Sequence, residues 1–178
     1  CDVPDGIGPD ADRGQVRAVC VSAGGGHTAA VLEDGSVRCW GENEFGECKV
    51  PPDVGTTTNP VRWVGASVVH TTALLMDGSV VCWGNMPASD CGEPLDDGIP
   101  VMAMAVGDSH SIARRADGSI RCWGEEGNGQ IEVPDGIGTM ANPAIDVAVG
   151  HFHSVAVLAD GSIACWGDDS QGQCTIPA

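Results

Sequence analysis

Hydrophobic positions along this chain fall in short alternating runs separated by Gly- and Pro-rich breaks, a period-2 signal of half-buried strands. Runs such as "HTAAVLE" and "HSVAVLA" carry β-branched and apolar residues at strand spacing. Each of four such runs ends in Asp-Gly, at Asp34-Gly35, Asp77-Gly78, Asp117-Gly118 and Asp160-Gly161. That dipeptide predicts a hairpin, because the tight turn needs a positive φ that Gly and Asp tolerate at low cost. A second strand follows at once: "SVRCWG", "SVVCWG", "SIRCWG" and "SIACWG". No segment reads as a capped amphipathic helix, and no apolar run approaches the length of a membrane span. The start of the chain has no basic, apolar, small-residue signal, so the expectation is a soluble chain from which any export signal has been removed.

The runs are copies of one unit. Aligned on their first His, they read "AGGGHTAAVLEDGSVRCWG" (His27), "GASVVHTTALLMDGSVVCWG" (His70), "VGDSHSIARRADGSIRCWG" (His110) and "VGHFHSVAVLADGSIACWG" (His153). The His residues stand 43, 40 and 43 positions apart, which is the length of a small antiparallel sheet of three or four strands, as in a propeller blade. Each unit carries one Trp at a fixed place: Trp40, Trp83, Trp123 and Trp166. A large flat residue repeated in this way is expected to pack between adjacent sheets, with ligand stacking as the alternative.

Composition supports the strand reading. Gly 26 and Pro 11, with no Tyr and two Phe, describe a chain of small residues and frequent turns. At 178 residues and 42% hydrophobic content it is long enough for one domain with a core and short for two. The net charge of −17, from 25 acidic and 8 basic side chains, argues against nucleic acid, whose phosphates require Lys and Arg. A solvated, self-repelling surface accounts for the acidity; a basic protein partner or bound cations are the alternatives.

The pattern G-x-x-H-[TS], DG-[ST]-[VI]-x-x-W-G and G-[QE] resembles the repeat of the regulator of chromosome condensation family, whose members fold as β-propellers. The resemblance covers essentially the whole chain in four copies. The short units, with "GQC" before a "VP"-type ending, are similar to those of bacterial secreted members, the beta-lactamase inhibitor protein II type among them. The resemblance implies an all-β propeller used as a binding surface, and it does not imply nucleotide exchange. The four repeats fall at roughly 1–47, 48–90, 91–130 and 131–178 of a single domain, either a closed four-blade ring or an arc of a larger propeller or assembly.

Cysteine spacing adds a constraint. In "CWGENEFGEC", Cys39 ends one strand and Cys48 begins the return strand, which brings two antiparallel Cβ atoms within disulfide reach. Cys82 with Cys91 and Cys165 with Cys174 repeat the spacing, and each staple contributes roughly 2–3 kcal/mol on the chain-entropy model. Zinc is disfavoured, since the interval far exceeds that of zinc knuckles and no His lies inside the loops. In the third unit Ile131 replaces the partner, which leaves Cys122 as a free or intermolecular thiol. Cys1 and Cys20 are paired here on proximity alone. Three regular pairs imply an oxidising compartment, hence an extracellular or cell-surface protein.

The chain begins "CDVPDGIG" and ends "GQCTIPA", while "GQIEVPDGIG" joins the third and fourth units, so the start restates the place where the end stops. Either the N-terminal segment completes the last blade of a ring, or the ends meet a neighbouring molecule. The four aligned His are expected to satisfy backbone groups between strands. His151, outside the pattern and two residues before His153, is the one candidate for a metal shared with that residue, and carboxylates in "ENEFGE", "GEEGN" and "WGDDSQ" lack a calcium-loop spacing.

No nucleophile elbow, phosphate loop or zincin helix is present, so the reading assigns no catalytic residue, metal or cofactor. Residues that break the repeat are the informative ones for binding: Phe45, Met86, Trp63 and Phe152 are large apolar side chains without counterparts in most units. Phe45 and Met86 fall in corresponding loops of one rim beside Glu42, Glu44, Asp90, Glu125, Glu126, Asp168 and Asp169. An aromatic or Met anchor in such surroundings points to a protein-binding face; inward folding over their own loops is the competing reading. The functional expectation is a non-enzymatic extracellular protein-binding module, with a head-to-tail self-assembling subunit as the alternative.

Overall fold

The computed structural model describes residues 2–10, 14–85 and 98–177. Expectations that concern Cys1, Met86, Asp90 and Cys91 lie outside these residues. The described residues form four three-stranded antiparallel sheets. The first contains β1 (Ala18–Ala23), β2 (His27–Leu32) and β3 (Val37–Gly41); the second, β4 (Val61–Ala66), β5 (His70–Leu75) and β6 (Val80–Gly84). The third contains β7 (Val101–Val106), β8 (His110–Arg115) and β9 (Ile120–Gly124); the fourth, β10 (Ala144–Val149), β11 (His153–Leu158) and β12 (Ile163–Gly167). The chain divides into two compact units, Cys1–Cys91 and Gly92–Ala178, each with two sheets.

Every sheet is a meander, in strand order, as Asp-Gly hairpins dictate. The turn is tighter in one respect and longer in another than the sequence suggested. Only the Gly takes positive φ, +81° at Gly35 and +86° at Gly161, and the Asp does not. Leu32 O accepts from the Gly35 N–H at 2.9 Å, and Leu32 N–H donates to Ser36 O at 2.9 Å, so four residues separate the strands. The Asp serves as a brace: Asp34 Oδ1 accepts from Ser36 N–H at 2.9 Å and from its hydroxyl at 2.6 Å. The same pair of bonds recurs at Asp77, Asp117 and Asp160. These bonds, the Ser hydroxyl first, hold all four carboxyl groups below their ordinary pKa.

A register shift recurs near the start of each first strand, at Ala18/Cys20, Val61/Trp63, Val101/Ala103 and Ala144/Asp146. The extra residue bends the strand at one fixed level in every sheet.

Within the first unit, Ala29, Val31 and Val37 of one sheet pack against Val61, Val64, Ala73, Leu75 and Trp83 of the next. Within the second, Ile112 and Ile120 meet Ala144, Ala156, Leu158 and Trp166. The repeated Trp therefore packs between sheets, as expected, at Trp83 and Trp166. Three-stranded sheets of this size need such a partner, because one apolar face alone does not stabilise them.

The turns supply a test. Gly118 and Gly161 have φ of +81° and +86°, but a Cβ on Gly118 would overlap Pro143 Cβ, whereas one on Gly161 meets nothing within 4 Å. Gly161→Ala should cost about 1–2 kcal/mol, the left-handed penalty alone, and Gly118→Ala about 3 kcal/mol or more. Denaturant unfolding of the two variants measures the difference.

Candidate protein-binding rim and the relay beneath it

Each middle strand begins at the aligned His, and that His pairs with the last Gly of the third strand: His27 with Gly41, His70 with Gly84, His110 with Gly124, His153 with Gly167. The loop before the His and the loop after Trp-Gly therefore leave each sheet at the same end. That end is the candidate rim.

Beneath it lies a buried polar relay. His27 Nε2 lies 2.8 Å from Thr71 Oγ1 of the neighbouring sheet, and the Thr71 hydroxyl donates to Glu47 O at 2.8 Å. Trp83 Nε1 donates to the same carbonyl at 2.7 Å. In the second unit His110 Nε2 lies 2.9 Å from Ser154 Oγ, whose hydroxyl donates to Gln130 O at 2.9 Å. His27 and His110 thus bridge sheets through a side-chain hydroxyl, a partner that the expectation of backbone groups between strands did not include. The hydroxyl belongs to the residue that follows the next aligned His, a Thr or Ser in every unit, and that regularity was visible in the sequence. With its own proton given to the carbonyl, the hydroxyl accepts from the His Nε2–H.

Burial pushes the His27 pKa down against the opposing pull of Glu47 and Glu42, and pushes His110 down with help from His153 and His151.

Three loops after Trp-Gly, those among the described residues, share one frame. In the first, Phe45 N–H donates to Glu47 Oε2 at 2.9 Å and Cys48 N–H to Asn43 Oδ1 at 3.0 Å. In the third, Asn128 N–H donates to Gln130 Oε1 at 2.8 Å; in the fourth, Gln171 N–H donates to Gln173 Oε1 at 2.9 Å and Cys174 N–H to Asp169 Oδ1 at 2.8 Å. Glu47 and Gln130 are buried anchors that sequence reading missed, because a Gly-[QE] pair looks like an ordinary polar turn. Asp168, taken at first for rim acidity, accepts from Ser170 and Gln173 and braces its own loop.

Cys165 and Cys174 are joined by a disulfide with Cα atoms 5.1 Å apart. Cys82 is also disulfide-bonded, and its expected partner Cys91 lies outside the described residues. Cys39 and Cys48 depart from expectation: both are free thiols in the structure. The Cys48 Sγ–H donates to Glu42 O at 3.2 Å, and burial, with the nearby Cys48 adding to it, pushes Cys39 up to about 12. Cys122 is free, and burial pushes it to about 12, which makes it a poor nucleophile for linking chains. Cys20 is free as well, and its proposed partner Cys1 is outside the described residues.

Of the expected binding residues, Phe45 is 50% exposed, and Glu42 and Glu44 beside it are exposed. Trp63 does not belong to the rim: it sits half-buried in β4 beside the register shift. Phe152 does lie at a His end, but its ring stacks edge-on to His151 with centroids 4.0 Å apart. His151 Nδ1 is 2.8 Å from Asp108 Oδ2, and Ser109 Oγ donates to His151 O at 3.0 Å. His151 thus ties two adjacent loops. Among the described residues no group of three or more His, Cys, Asp or Glu is placed to hold a metal ion.

The model of the regulator of chromosome condensation (RCC1) repeat matches residues 18–47, 103–130 and 144–173. The chain carries RCC1 repeats. The matched segments are three of the four sheets with their rim loops; the sheet at 61–84 has the same three strands but lies outside them. Among solved structures, the chain is similar to the CRINKLY WD40 ectodomain of the receptor kinase ACR4 from Arabidopsis thaliana. Identity is 26% and the TM-score 0.66, over 85% of this chain and 51% of that one. It also resembles the ectodomain of the receptor kinase CR4 from Physcomitrella patens, at 22% identity and a TM-score of 0.68, over 86% and 41%. For Prp20p from Saccharomyces cerevisiae the figures are 19% and 0.71, over 94% and 48%. The chain spans about half the length of these proteins. No curated protein sequence matches it. The RCC1 repeats and these neighbours identify the sheets as β-propeller blades.

Two outcomes follow from the relay. Thr71→Val leaves His27 Nε2 buried without a partner and should cost about 1–3 kcal/mol in denaturant unfolding. His27 and His110 are held below the ordinary value of 6.5, so the unfolded chain takes up protons first. Their contribution is fully present above pH 6.5 and is lost as pH falls below it. Thermal unfolding should therefore shift down on acidification, and His27→Gln should flatten that shift.

Proposed function

We propose that this chain is a non-enzymatic extracellular protein-binding module that acts through the loops at the His ends of its blades. The observation that carries this reading is Phe45: half-exposed, flanked by exposed Glu42 and Glu44, on a loop whose backbone is fixed by Asn43 and Glu47. An aromatic anchor on a pre-organised loop loses little freedom on binding and is the residue type that dominates interface energies. The flanking carboxylates and the net charge of −17 favour a basic partner surface and speed its approach. Protein binding also agrees with the neighbours: the structure of Prp20p was described with its binding to Gsp1p and histones.

An oxidising, extracellular location is supported by the Cys165–Cys174 bond and by similarity to a receptor-kinase ectodomain. The short endings "GECKVP", "GQIEVP" and "GQCTIP" favour the secreted short-repeat branch of the family. In this reading Cys39–Cys48 and Cys82–Cys91 close as further staples. The first is supported by a loop frame that matches the one around Cys174, with the Cys N–H held by the side chain five residues before it in both.

Affinity capture from extracellular fluid with wild type, Phe45→Ala and the Glu42→Gln/Glu44→Gln pair tests the rim. Phe45→Ala should lower retention of a specific partner by about tenfold or more, a loss of about 1.4 kcal/mol, with an unchanged melting temperature. Identical retention by all three proteins would remove the rim as the binding face. Peptide mapping without reduction should find Cys39 linked to Cys48; free thiols at both positions in the secreted protein would count against the location.

A further inference from the structure

The three described rim loops each turn on a glycine of positive φ, Gly46 (+87°), Gly129 (+76°) and Gly172 (+78°). The residue before it differs: Phe45 in the first loop, Asn128 in the third and Gln171 in the fourth. Asn128-Gly129 is the one Asn-Gly pair in the chain. The backbone nitrogen that follows an Asn attacks the side-chain amide and closes a five-membered succinimide, most readily where that nitrogen belongs to Gly, which has no Cβ to shield it. Phe45 offers no amide, and Gln171 would have to close a six-membered ring.

Both reacting groups of this pair are open. Asn128 is exposed, and its side chain makes no hydrogen bond among the described residues. The Gly129 N–H makes none either, whereas the Gly172 N–H donates to Asp169 O at 3.0 Å. A Cβ on Gly129 would meet only Glu132 Oε2, at 3.9 Å, so the space beside the nitrogen is free. Comparable pairs are closed. In the hairpin turns Asp34, Asp77, Asp117 and Asp160 are held by Ser, and the Gly35, Gly78, Gly118 and Gly161 N–H groups donate to strand carbonyls. Asp5 and Asp135 also precede Gly and are exposed, but an ionised carboxylate is a poor electrophile. Asn43 Oδ1 accepts from the Cys48 N–H, and Asn59 and Asn142 precede prolines, whose nitrogen has no proton to lose.

We propose that Asn128-Gly129 is a self-modifying site, at which the folded third loop converts Asn128 to Asp and isoAsp and thereby loosens the Gln130 anchor. The Gly129 nitrogen gives up its proton and bonds to Asn128 Cγ; the Cγ–Nδ2 bond breaks, and ammonia leaves with that proton. Water then opens the succinimide at either carbonyl, giving Asp or isoAsp. In isoAsp the main chain runs through Cγ and gains one carbon between the Asn128 N–H and Gln130. Gln130 cannot follow, because its carbonyl accepts from Ser154 at 2.9 Å and its Nε2 donates to Glu125 O at 2.8 Å. The added length therefore parts the Asn128 N–H from Gln130 Oε1, now 2.8 Å apart. Either product also sets a new carboxylate near the exposed Glu125 and Glu126. The third loop changes with the age of the molecule, and this holds whether or not the rim has a partner.

Incubation of the intact folded chain at neutral pH, beside a chemically denatured sample, tests the proposal. A protease that cuts after Glu releases "GNGQIE", residues 127–132, and chromatography against synthetic Asp and isoAsp versions of that peptide reads the products. Asn128 should convert in the folded chain as fast as in the denatured one, and about tenfold or more faster than Asn43, whose hydrogen bond must first break. Asn128→Gln should abolish conversion with an unchanged melting temperature. The purified isoAsp form should melt below wild type, whereas Asn128→Asp, which adds the charge without the carbon, should melt with it. Asn128 that persists in the folded chain while the denatured chain converts overturns the site. An isoAsp form that melts with wild type overturns its coupling to Gln130.

Discussion

The structure depends on an imidazole that reaches from one sheet to the hydroxyl of the next and, through it, to a rim carbonyl. A buried hydroxyl, imidazole and carbonyl would each be costly alone. Joined in series, as at His27 Nε2, the Thr71 hydroxyl and Glu47 O, they partner one another and tie two sheets together at a fixed separation. Apolar packing of Val31 and Val64 against Trp83 supplies most of the attraction. The relay supplies the geometry, because hydrophobic contact alone has no preferred register.

That arrangement frees the loops above it. The carbonyl that ends the relay belongs to Glu47 or Gln130, whose side chain turns back to hold the loop's own N–H groups. One residue thus ties the core to the rim, and the residues between are free to vary. The first loop uses that freedom to display Phe45; the fourth spends its polar side chains on bracing itself and closes a disulfide. A conserved frame beneath variable tips suits a fold whose function lies in what its edges meet.

Much of this was legible in the sequence. The strands, the hairpins, the repeat length and the inter-sheet Trp followed from period-2 patterning and Asp-Gly turns, which are local properties. The rim was legible only in part. Phe45 could be picked out because it breaks the repeat, but Trp63 breaks it equally and lies in a strand beside a register shift. Phe152 breaks it too, and its ring is held against His151. Departure from a repeat marks a changed position; it does not say which way the side chain faces.

By itself the sequence determined the element type, the order of strands in each sheet and the spacing of the cysteines, since each rests on neighbours within about ten positions along the chain. Tertiary structure alone decided which polar groups meet. His27 and Thr71 are 44 positions apart, and so are His110 and Ser154; each pair exists only when two sheets stack. A local spacing sets what a loop can bond, whereas a contact between sheets depends on how the sheets stack.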